Sequence, residues 1–136
     1  MQILITGITG RIGANLAAAL LEGGHRVRGL VWPKDPRVEK LRELDLDLHH
    51  GSLTEPEDVR KAMQGVEAVY HLGAAFQGGG PFTETDYFDI NVRGTFNMLE
   101  AAKEEDHLSR FVFASTDAVY PKYPPGGMPE PIREDH

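Results

Sequence analysis

The fold is decided by the first thirteen residues of the chain, Met1-Gln-Ile-Leu-Ile-Thr-Gly-Ile-Thr-Gly-Arg-Ile-Gly13. The apolar run at residues 3–5 predicts a short buried strand, and Gly7, Gly10 and Gly13 follow it at a spacing of three. Glycines here allow a tight turn, a close approach of the backbone to a ligand and close packing of a helix on the strand. A strand, a glycine turn and a helix in this order predict the phosphate-binding corner of a doubly wound α/β fold.

The helix after these glycines begins at about Arg11, where Ile12, Leu16 and Leu20 start an apolar stripe. Its N-terminus offers unpaired N–H groups and the positive end of a dipole, so we expect an anion there. A purely steric turn is the alternative. The pattern Gly-x-x-Gly-x-x-Gly after Thr6 resembles that of the short-chain dehydrogenase/reductase superfamily, and the resemblance implies a nicotinamide dinucleotide.

Length and composition describe one soluble α/β domain. The 136 residues include 14 basic and 21 acidic side chains, a net charge of -7, so we expect no nucleic-acid or anionic-membrane partner. The sequence has no cysteine, which excludes a disulfide framework and a thiolate metal site. It also has neither a signal segment nor a membrane-length apolar run. These features together predict a cytoplasmic protein.

Predicted strands and helices alternate along the chain. Strands are predicted at residues 3–5, 25–32, 45–49, 66–72 and 110–114, and helices at 11–22, 36–45, 54–65 and 83–105. The expected sheet is parallel, of the Rossmann type, with strand order 3-2-1-4-5. Because neighbouring residues of a strand face opposite sides, His49 and His50 would not chelate one ion together, and no metal site is predicted.

The end of the second strand bears on the choice of dinucleotide. An acidic side chain there binds the adenine ribose 2′-hydroxyl, and a basic one favours a 2′-phosphate. No carboxylate lies near Val31, whereas Arg28 and Lys34 lie near enough in sequence to bind a phosphate, with Trp32 between them. Lys34 fits a solvated loop lysine equally well. The cofactor is therefore NAD or NADP, and these basic residues slightly favour NADP.

The loop after the third strand, Gly51-Ser-Leu-Thr54, is the next candidate segment. In the superfamily this position often has Asp-Leu or Asp-Val in contact with adenine. Ser52 departs from that pattern, whereas Leu53 keeps an apolar side chain that would pack against the ring. The residues Thr54-Glu-Pro-Glu57 predict a capping box at the start of the following helix.

Two further segments resemble one branch of the superfamily. The fourth strand leads into His71-Leu-Gly-Ala-Ala75, which is similar to the His-Leu-Ala-Ala signature of the extended short-chain dehydrogenases, the nucleotide-sugar epimerase and dehydratase group. The helical segment Asn91-Val-Arg-Gly-Thr-Phe-Asn-Met-Leu-Glu-Ala101 resembles that group's helix, and the resemblance implies that Asn91 lies near the nicotinamide ribose. Apolar side chains recur there at helical spacing and are expected in the core: Phe88, Val92, Phe96 and Leu99.

The segment after the fifth strand, Ser115-Thr-Asp-Ala-Val-Tyr120, resembles the group's active-site segment Ser-Ser-x-x-Val-Tyr-Gly. Aligning its last two residues puts Thr116 at the position of the catalytic Ser or Thr, which hydrogen-bonds the reacting oxygen. Asp117 follows, as in the sugar-nucleotide dehydratases that have Thr-Asp-Glu there. Ala118 replaces the glutamate needed for water elimination, so epimerase or reductase chemistry is favoured over dehydration.

The chemistry of this group also needs a Tyr-x-x-x-Lys pair, whose tyrosine exchanges a proton with the substrate hydroxyl while a hydride moves to or from the nicotinamide. No tyrosine of this sequence has a lysine four residues later. We therefore interpret residues 1–120 as an incomplete NAD(P)-binding domain. Residues 121–136 read as a Pro/Gly-rich loop leading to an absent C-terminal part, with the last strands and the substrate domain.

The sequence thus predicts the dinucleotide-binding portion of an NAD(P)-dependent epimerase or reductase that acts on a nucleotide-sugar or similar hydroxyl or ketone substrate. A non-catalytic dinucleotide-binding or sensor protein is the alternative. The fifth strand would leave an apolar edge, so we expect a homodimer or masking by the proline-rich tail. The candidate catalytic residues are Thr116 and Asp117. The candidate cofactor-binding residues are Gly7, Thr9, Gly10, Arg11, Ile12, Gly13, Trp32, Lys34, Ser52, Leu53, Leu72, Gly73, Ala74, Ala75, Asn91 and Ser115.

Overall fold

The computed structural model describes residues 1–76, 80, 82–120 and 133. The glycine-rich stretch Gln77-Gly-Gly-Gly-Pro81 is predicted from sequence to be a lid or a plain surface connection, and it lies outside these residues except for Gly80. The predicted proline-rich tail at 121–136 also lies outside them, except for Arg133.

The sheet of the described residues consists of β1 (Gln2–Thr6), β2 (Arg26–Val31), β3 (Asp47–His50), β4 (Ala68–His71) and β5 (Arg110–Phe113). The strands are parallel and lie in the order β3-β2-β1-β4-β5, which confirms the predicted Rossmann-type topology. β1 is buried along its whole length, because it has neighbours on both sides and helices on both faces.

The register of the strands brings their carboxyl ends level. Thr6 lies opposite both Leu30 of β2 and His71 of β4, and His71 lies opposite Phe113 of β5. The chain passes from β1 to β2 on one side and later returns to β4 on the other. The loops that leave β1 and β4 therefore diverge from a switch point, where ligands of such sheets bind.

Helices cover both faces of this sheet. The longest single helix, α1 (Arg11–Glu22), packs on one face with Ile3, Ile5 and Val27 in its core. On the other face, the core around Leu4 and Val69 includes side chains of the helices α2 (Pro56–Met63) and α4 (Gly94–Lys103). A short helix α3 (Glu84–Phe88) and a π-helical segment (Asp89–Arg93) lead directly into α4. Two short 3₁₀-helices are described, at Pro36–Leu41 and Asp117–Val119.

The corner between β1 and α1 requires two of its glycines for steric reasons. Gly7 has a φ of 68°, and a Cβ there would lie 2.8 Å from the backbone nitrogen of Gly73. A Cβ on Gly13 would lie 2.4 Å from the carbonyl oxygen of Gly7. These close approaches press α1 onto the turn and bring the end of β1 against the end of β4.

The continuous run of α3, the π-helical segment and α4 is called the long helix below. The prediction that its apolar stripe lies in the core is wrong. Its four members are between 46% and 61% exposed: Phe88, Val92, Phe96 and Leu99. The buried side of α4 consists instead of Gly94, Asn97, Met98 and Ala101. A Cβ on Gly94 would lie 2.9 Å from the Cβ of Leu53, so this side of the helix is small enough to approach the loop after β3 closely. The helix has two apolar sides, and the side with the smaller side chains packs against the rest of the domain.

Two local predictions also need correction. The capping box at Thr54 does not form: Glu55 is the N-cap of α2, and the hydroxyl of Thr54 pairs with that of Ser52 at 2.8 Å. Pro56 takes the first helical position, which suits its missing N–H. The helix predicted at 36–45 is the short 3₁₀-helix Pro36–Leu41, in which only Leu41 is buried. That burial is too little to extend a longer helix.

Candidate functional site

The predicted site residues lie in the segments that leave the carboxyl edge of the sheet. Gly7 follows β1, Trp32 follows β2, Ser52 follows β3, Leu72 follows β4, and Ser115 follows β5. Because the strand ends are level, these segments leave the sheet at one edge, around the switch point between β1 and β4. Ligands of such sheets bind outside this edge, in the space called the crevice below. The sequence positions, which span more than a hundred residues, are thus brought to one side of the molecule.

The N-terminus of α1 opens into this crevice with its backbone donors unused by any side-chain cap. Gly10 is the N-cap residue, and no side chain of the described residues caps the first turn. Arg11 and Ile12, the first helical residues, are exposed. The N–H groups of the first turn have no acceptor within the helix and carry the positive end of its dipole. The arrangement suits a phosphate.

Gly10 provides a test of whether a dinucleotide fits. Its φ of −74° and ψ of 169° are open to any residue, so its conformation does not demand glycine. Among the described atoms, a Cβ there would meet only the carbonyl oxygen of Gly7, at 3.1 Å, and otherwise project into open space in front of the helix. The space that a side chain would fill is the cradle that a pyrophosphate needs. The corner between β1 and α1 therefore fits the pyrophosphate of a dinucleotide.

The end of β2 holds a buried carboxylate that the sequence analysis did not single out. Asp35 is 8% exposed, and its Oδ2 accepts a hydrogen bond from the hydroxyl of Thr9 at 2.6 Å. The Arg37 guanidinium donates to both oxygens of Asp35, at 2.8 Å each, and the Arg37 amide donates to Oδ1 at 3.0 Å. These bonds, with that of Thr9, hold the pKa of Asp35 at about 2 against the unfavourable effect of burial. Trp32 and Lys34 beside them are exposed.

Arg28 does not reach this end of the sheet. Its guanidinium donates to Asp47 at 2.6 Å and to the carbonyl oxygens of Ala62 and Gln64, at 2.9 and 2.8 Å. Both carbonyls belong to the end of α2, which leads to the amino end of β4. Arg28, which lies near enough in sequence to be considered for a cofactor phosphate, thus has its guanidinium bonded to Asp47 and to the end of α2 instead.

The loop after β3 is fixed by its own polar groups. The amide of Ser52 donates to the Asp58 carboxylate at 2.9 Å. Leu53 lies 3.1 Å from where a Cβ of Gly73 would be, and its carbonyl oxygen accepts from Asn97 at 2.9 Å. Leu53 thus presents an apolar wall between the end of β4 and the helix α4.

A chain of hydrogen bonds links the end of β1 to the long helix through His71. The Gly73 amide donates to the hydroxyl of Thr6 at 3.0 Å, and that hydroxyl lies 2.7 Å from Nδ1 of His71. On the other side, the Thr95 hydroxyl donates to the Asn91 carbonyl at 2.7 Å and lies 3.0 Å from Nε2 of His71. Since each hydroxyl has one proton, Thr6 donates to Nδ1 and Nε2–H donates to Thr95. Burial lowers the pKa of His71 to about 4, so the ring is neutral.

Asn91 fixes the segment that follows β4. Its side-chain amide donates to the Ala75 carbonyl at 2.8 Å, and its Oδ1 accepts from the Ala75 amide at 2.7 Å. Asn91 stands in the π-helical segment, a rare geometry that recurs at functional sites. The Asn91 side chain thus uses both of its polar groups to hold the backbone of the segment that contains Gly73 and Ala74.

The segment after β5 is exposed at the same edge. The Ala114 amide donates to the carbonyl of His71 at 3.1 Å, which keeps the start of this segment beside β4. Thr116 is the N-cap of a 3₁₀ turn, and its hydroxyl accepts from the Ala118 amide at 3.2 Å and lies 3.4 Å from Asp117. Ser115 and Asp117 are also exposed. Thr116 is thus an exposed residue whose hydroxyl caps a local turn.

Sequence reasoning missed three residues of this edge. Asp35 could have been identified from the sequence, because an aspartate directly before a proline is a typical helix N-cap with proline in the first turn. Thr6 and Thr95 had none, since their pairing through His71 joins positions far apart in the sequence.

In the described part of the chain, no helix combines the length and the apolar character needed to cross a membrane.

Known proteins resemble this chain over most of its length. The profile of the NAD dependent epimerase/dehydratase family matches residues 3–136. A 3-beta-hydroxysteroid dehydrogenase of Mycolicibacterium neoaurum is 34% identical over 124 residues, which cover 87% of this chain and 32% of that protein. The chain spans about a third of the length of such curated relatives.

Solved structures agree in fold. A short-chain dehydrogenase/reductase superfamily protein from Agrobacterium tumefaciens, crystallised with NAD, matches with a TM-score of 0.80 and 38% identity, over 100% of this chain and 38% of its own. The UDP-glucose 4-epimerase of Thermus thermophilus, in complex with NAD, matches with a TM-score of 0.83 and 27% identity, over 99% of this chain and 43% of its own.

Proposed function

Because this chain belongs to the NAD dependent epimerase/dehydratase family, we propose that it forms the dinucleotide-binding part of an NAD(P)-dependent epimerase or reductase. One observation carries the proposal: the uncapped N-terminus of α1 faces an open cradle at Gly10, at the switch point of the sheet. Gly7, Gly10 and the first turn of α1 would hold the pyrophosphate. Trp32, Leu53 and the end of β4 would line the rest of the cofactor.

The proposed chemistry is oxidation or reduction at a hydroxyl or ketone carbon. A bound nicotinamide supplies the hydride acceptor or donor. Thr116 is proposed to hydrogen-bond the reacting oxygen, with Asp117 beside it, since both are exposed where β5 ends. No tyrosine of residues 1–136 has a lysine four positions later. These residues therefore do not supply a Tyr-x-x-x-Lys pair for the proton transfer.

The substrate class is proposed from two kinds of relatives. The Thermus thermophilus protein acts on UDP-glucose, and the Mycolicibacterium neoaurum protein on a 3-beta-hydroxysteroid. Both names describe a secondary hydroxyl on a ring. We therefore extend the proposal to a nucleotide-sugar or a similar cyclic hydroxyl or ketone. A cytoplasmic location belongs to the same proposal, supported by a sequence without cysteine.

A second candidate is dinucleotide binding without turnover, as in a sensor. It needs only the dinucleotide-binding features that residues 1–136 supply. The two candidates differ in whether a hydroxyl or ketone substrate is converted in the presence of the dinucleotide. A reductase changes the absorbance of the reduced nicotinamide, whereas an epimerase is redox-neutral overall and is detected by its product with the inverted hydroxyl. Turnover supports the enzyme, and binding with no turnover over a broad substrate panel supports the sensor.

Self-association is also part of the proposal. In the described residues β5 pairs with β4 alone, and Phe113 is exposed on it. The apolar side of the long helix, defined above by its four exposed members, is exposed as well. Exposed apolar side chains that recur along one side of a helix are typical of a protein–protein interaction surface.

The cradle is tested by calorimetric titration of NAD into the protein and into two glycine variants. Gly10→Ala places a methyl group where the pyrophosphate would lie, so we expect its Kd for NAD to rise by about tenfold or more. Gly23→Ala is the matched control at the other end of α1, where φ is also −74° and a Cβ makes only ordinary contacts. Equal affinity of the Gly10→Ala variant and the control would remove the basis of the proposal.

A further inference from the structure

The segment that follows β4 is held by side chains at both of its ends. The amide of Gly73 donates to the hydroxyl of Thr6 at 3.0 Å. Both backbone groups of Ala75 pair with the side chain of Asn91, at 2.7 and 2.8 Å. Ala74, between these two attachments, is exposed. The position of this exposed backbone therefore depends on what holds Thr6 and Asn91 in place.

The imidazole of His71 joins the two attachments. Its Nδ1 lies 2.7 Å from the hydroxyl of Thr6, and its Nε2 lies 3.0 Å from the hydroxyl of Thr95. The Thr95 hydroxyl in turn donates to the carbonyl of Asn91 at 2.7 Å. Because His71 also belongs to the strand that runs into the segment, these bonds close two rings, one through Thr6 to Gly73 and one through Thr95 and Asn91. The side chains of Thr6, His71, Thr95 and Asn91 are called the His71 network below.

The direction of the hydrogen bonds in this network is fixed by its two ends. The amide of Gly73 can only donate a hydrogen bond, and the carbonyl of Asn91 can only accept one. Each threonine hydroxyl has a single proton, so Nδ1 of His71 must accept and its Nε2–H must donate. A chain that begins at an amide and ends at a carbonyl has no proton to pass on. The network therefore holds atoms in place and does not relay protons.

Burial makes every bond of the His71 network matter. His71 and Thr6 are each 1% exposed, and the rings of Phe111 and Phe113 pack against the imidazole with centroids 6.1 and 5.7 Å away. A polar group that loses its partner in such a place has no water to replace it. Loss of one bond therefore frees the imidazole to turn and weakens the bond on its other side.

We propose that His71 is a positioning residue, which acts through Thr6 and Thr95 to pre-form the backbone at residues 73–75 for the nicotinamide half of the dinucleotide. The inference rests on the proposed function, since it concerns the cofactor of the same crevice. A doubly wound sheet binds a dinucleotide across two mononucleotide-binding halves, and the half that starts at β4 is the one that residues 73–75 serve. The buried imidazole itself does not touch the cofactor.

The test compares the Kd of NAD with that of ADP by titration calorimetry. ADP has the adenosine and the pyrophosphate of NAD but lacks the nicotinamide riboside. Thr6→Val and Thr95→Val keep the shape of the side chain and remove its hydroxyl, so each should raise the Kd for NAD by about threefold to tenfold, the effect of one lost hydrogen bond. The Kd for ADP should stay within about twofold of the wild type. Thr6→Ser and Thr95→Ser keep the hydroxyl and should bind NAD nearly as the wild type does.

Combined variants show whether the two threonines act through the imidazole. Independent effects of Thr6→Val and Thr95→Val would multiply in the double variant. Since both act through His71, the Kd of the double variant for NAD should stay near that of the weaker-binding single variant. His71→Phe keeps a ring and loses both bonds, so it should match the double variant. If His71→Phe does not fold, as judged by circular dichroism, the threonine variants carry the test.

Two further measurements separate positioning from a general loss of stability. Val27→Ala is the control, because Val27 is 2% exposed in the core on the other face of the sheet and has no part in the network. This variant should unfold at lower urea concentration, while its Kd values for NAD and ADP stay those of the wild type. Long-range proton–nitrogen correlation by NMR should place the proton of the neutral His71 ring on Nε2.

The outcomes separate this inference from the proposed function. A proton on Nδ1, an unchanged Kd for NAD in both valine variants, multiplied effects in the double variant, or equal rises of Kd for NAD and ADP would each overturn the inference and leave dinucleotide binding standing. A wild-type protein that binds neither NAD nor ADP would overturn the proposed function, and this inference with it.

Discussion

At the scale of single residues, His71 shows how a buried polar side chain can organise two elements. Its ring lies between the hydroxyls of Thr6 and Thr95 and packs on the rings of Phe111 and Phe113. The network satisfies both ring nitrogens with the ring neutral. A second proton would have no acceptor at Nδ1, where Thr6 is the donor.

This arrangement predicts a loss of stability in mild acid. The unfolded chain binds a proton on His71 below about pH 6.5, whereas the folded protein does so only near pH 4, because burial lowers the pKa. The free energy of unfolding should therefore fall by about 3 kcal/mol from this group between pH 6.5 and pH 4. Urea unfolding of the protein and of His71→Asn, which has no titrating ring, measures the difference.

The comparison of the wild type with His71→Asn isolates the pH-dependent contribution of the histidine to the free energy of unfolding. The advantage of the wild type over His71→Asn should be largest at pH 7 and should shrink as the pH approaches 4. Asp35 adds a contribution with the same direction of pH dependence in a lower window, since its pKa of about 2 lies below the ordinary 3.8. Its stabilisation is present above pH 4 and is lost towards pH 2. An advantage that stays constant from pH 7 to pH 4 would contradict the neutral ring.

The residues of the site differ in whether their conformation and contacts depend on neighbours in the sequence or on distant parts of the chain. The roles of Gly7 and Gly13 follow from the turn itself, which can be read from their spacing. The pairing of Thr6 with His71 depends on the register between β1 and β4. Asp35 depends on how the β2 loop folds back to Thr9. No spacing rule carries such long-range information, so these partners were not predicted.

At the scale of elements, the long helix is where sequence periodicity gave the wrong surface. Large apolar side chains repeat on one side and small ones on the other, and both repeats have helical spacing. The small side packs because Gly94 and Ala101 let the backbone approach the domain closely. Periodicity identifies a helix but does not choose between two apolar sides.

The exposed side of this helix predicts self-association, which sedimentation velocity measures. At micromolar concentration, the average mass of the protein should exceed the 15.0 kDa of one chain. Phe96→Asp places a charge in the middle of the exposed apolar side and should shift the protein towards 15.0 kDa. Phe76→Asp is the control, since Phe76 is 61% exposed but lies outside this helix. A wild-type protein that sediments as one chain would refute this prediction.

At the scale of the whole molecule, the parallel sheet explains why residues so distant in sequence form one site. The order β3-β2-β1-β4-β5 was predictable, because alternating strands and helices with a glycine corner leave few topologies. The placement of Trp32, Gly73 and Ser115 on one edge follows from that order. The contacts between the segments at this edge do not follow, since they depend on loop conformations.

The central claim is that this edge binds a dinucleotide, and amide chemical-shift mapping by NMR tests it most directly. On addition of NAD to the isotope-labelled protein, the account predicts shifts at Gly10, Gly13 and Gly73 and at the indole N–H of Trp32. The turns at Gly24 and Gly65, which precede the amino ends of β2 and β4, should stay unchanged. Shifts that appear only at those turns, or no shifts at all, would contradict the account.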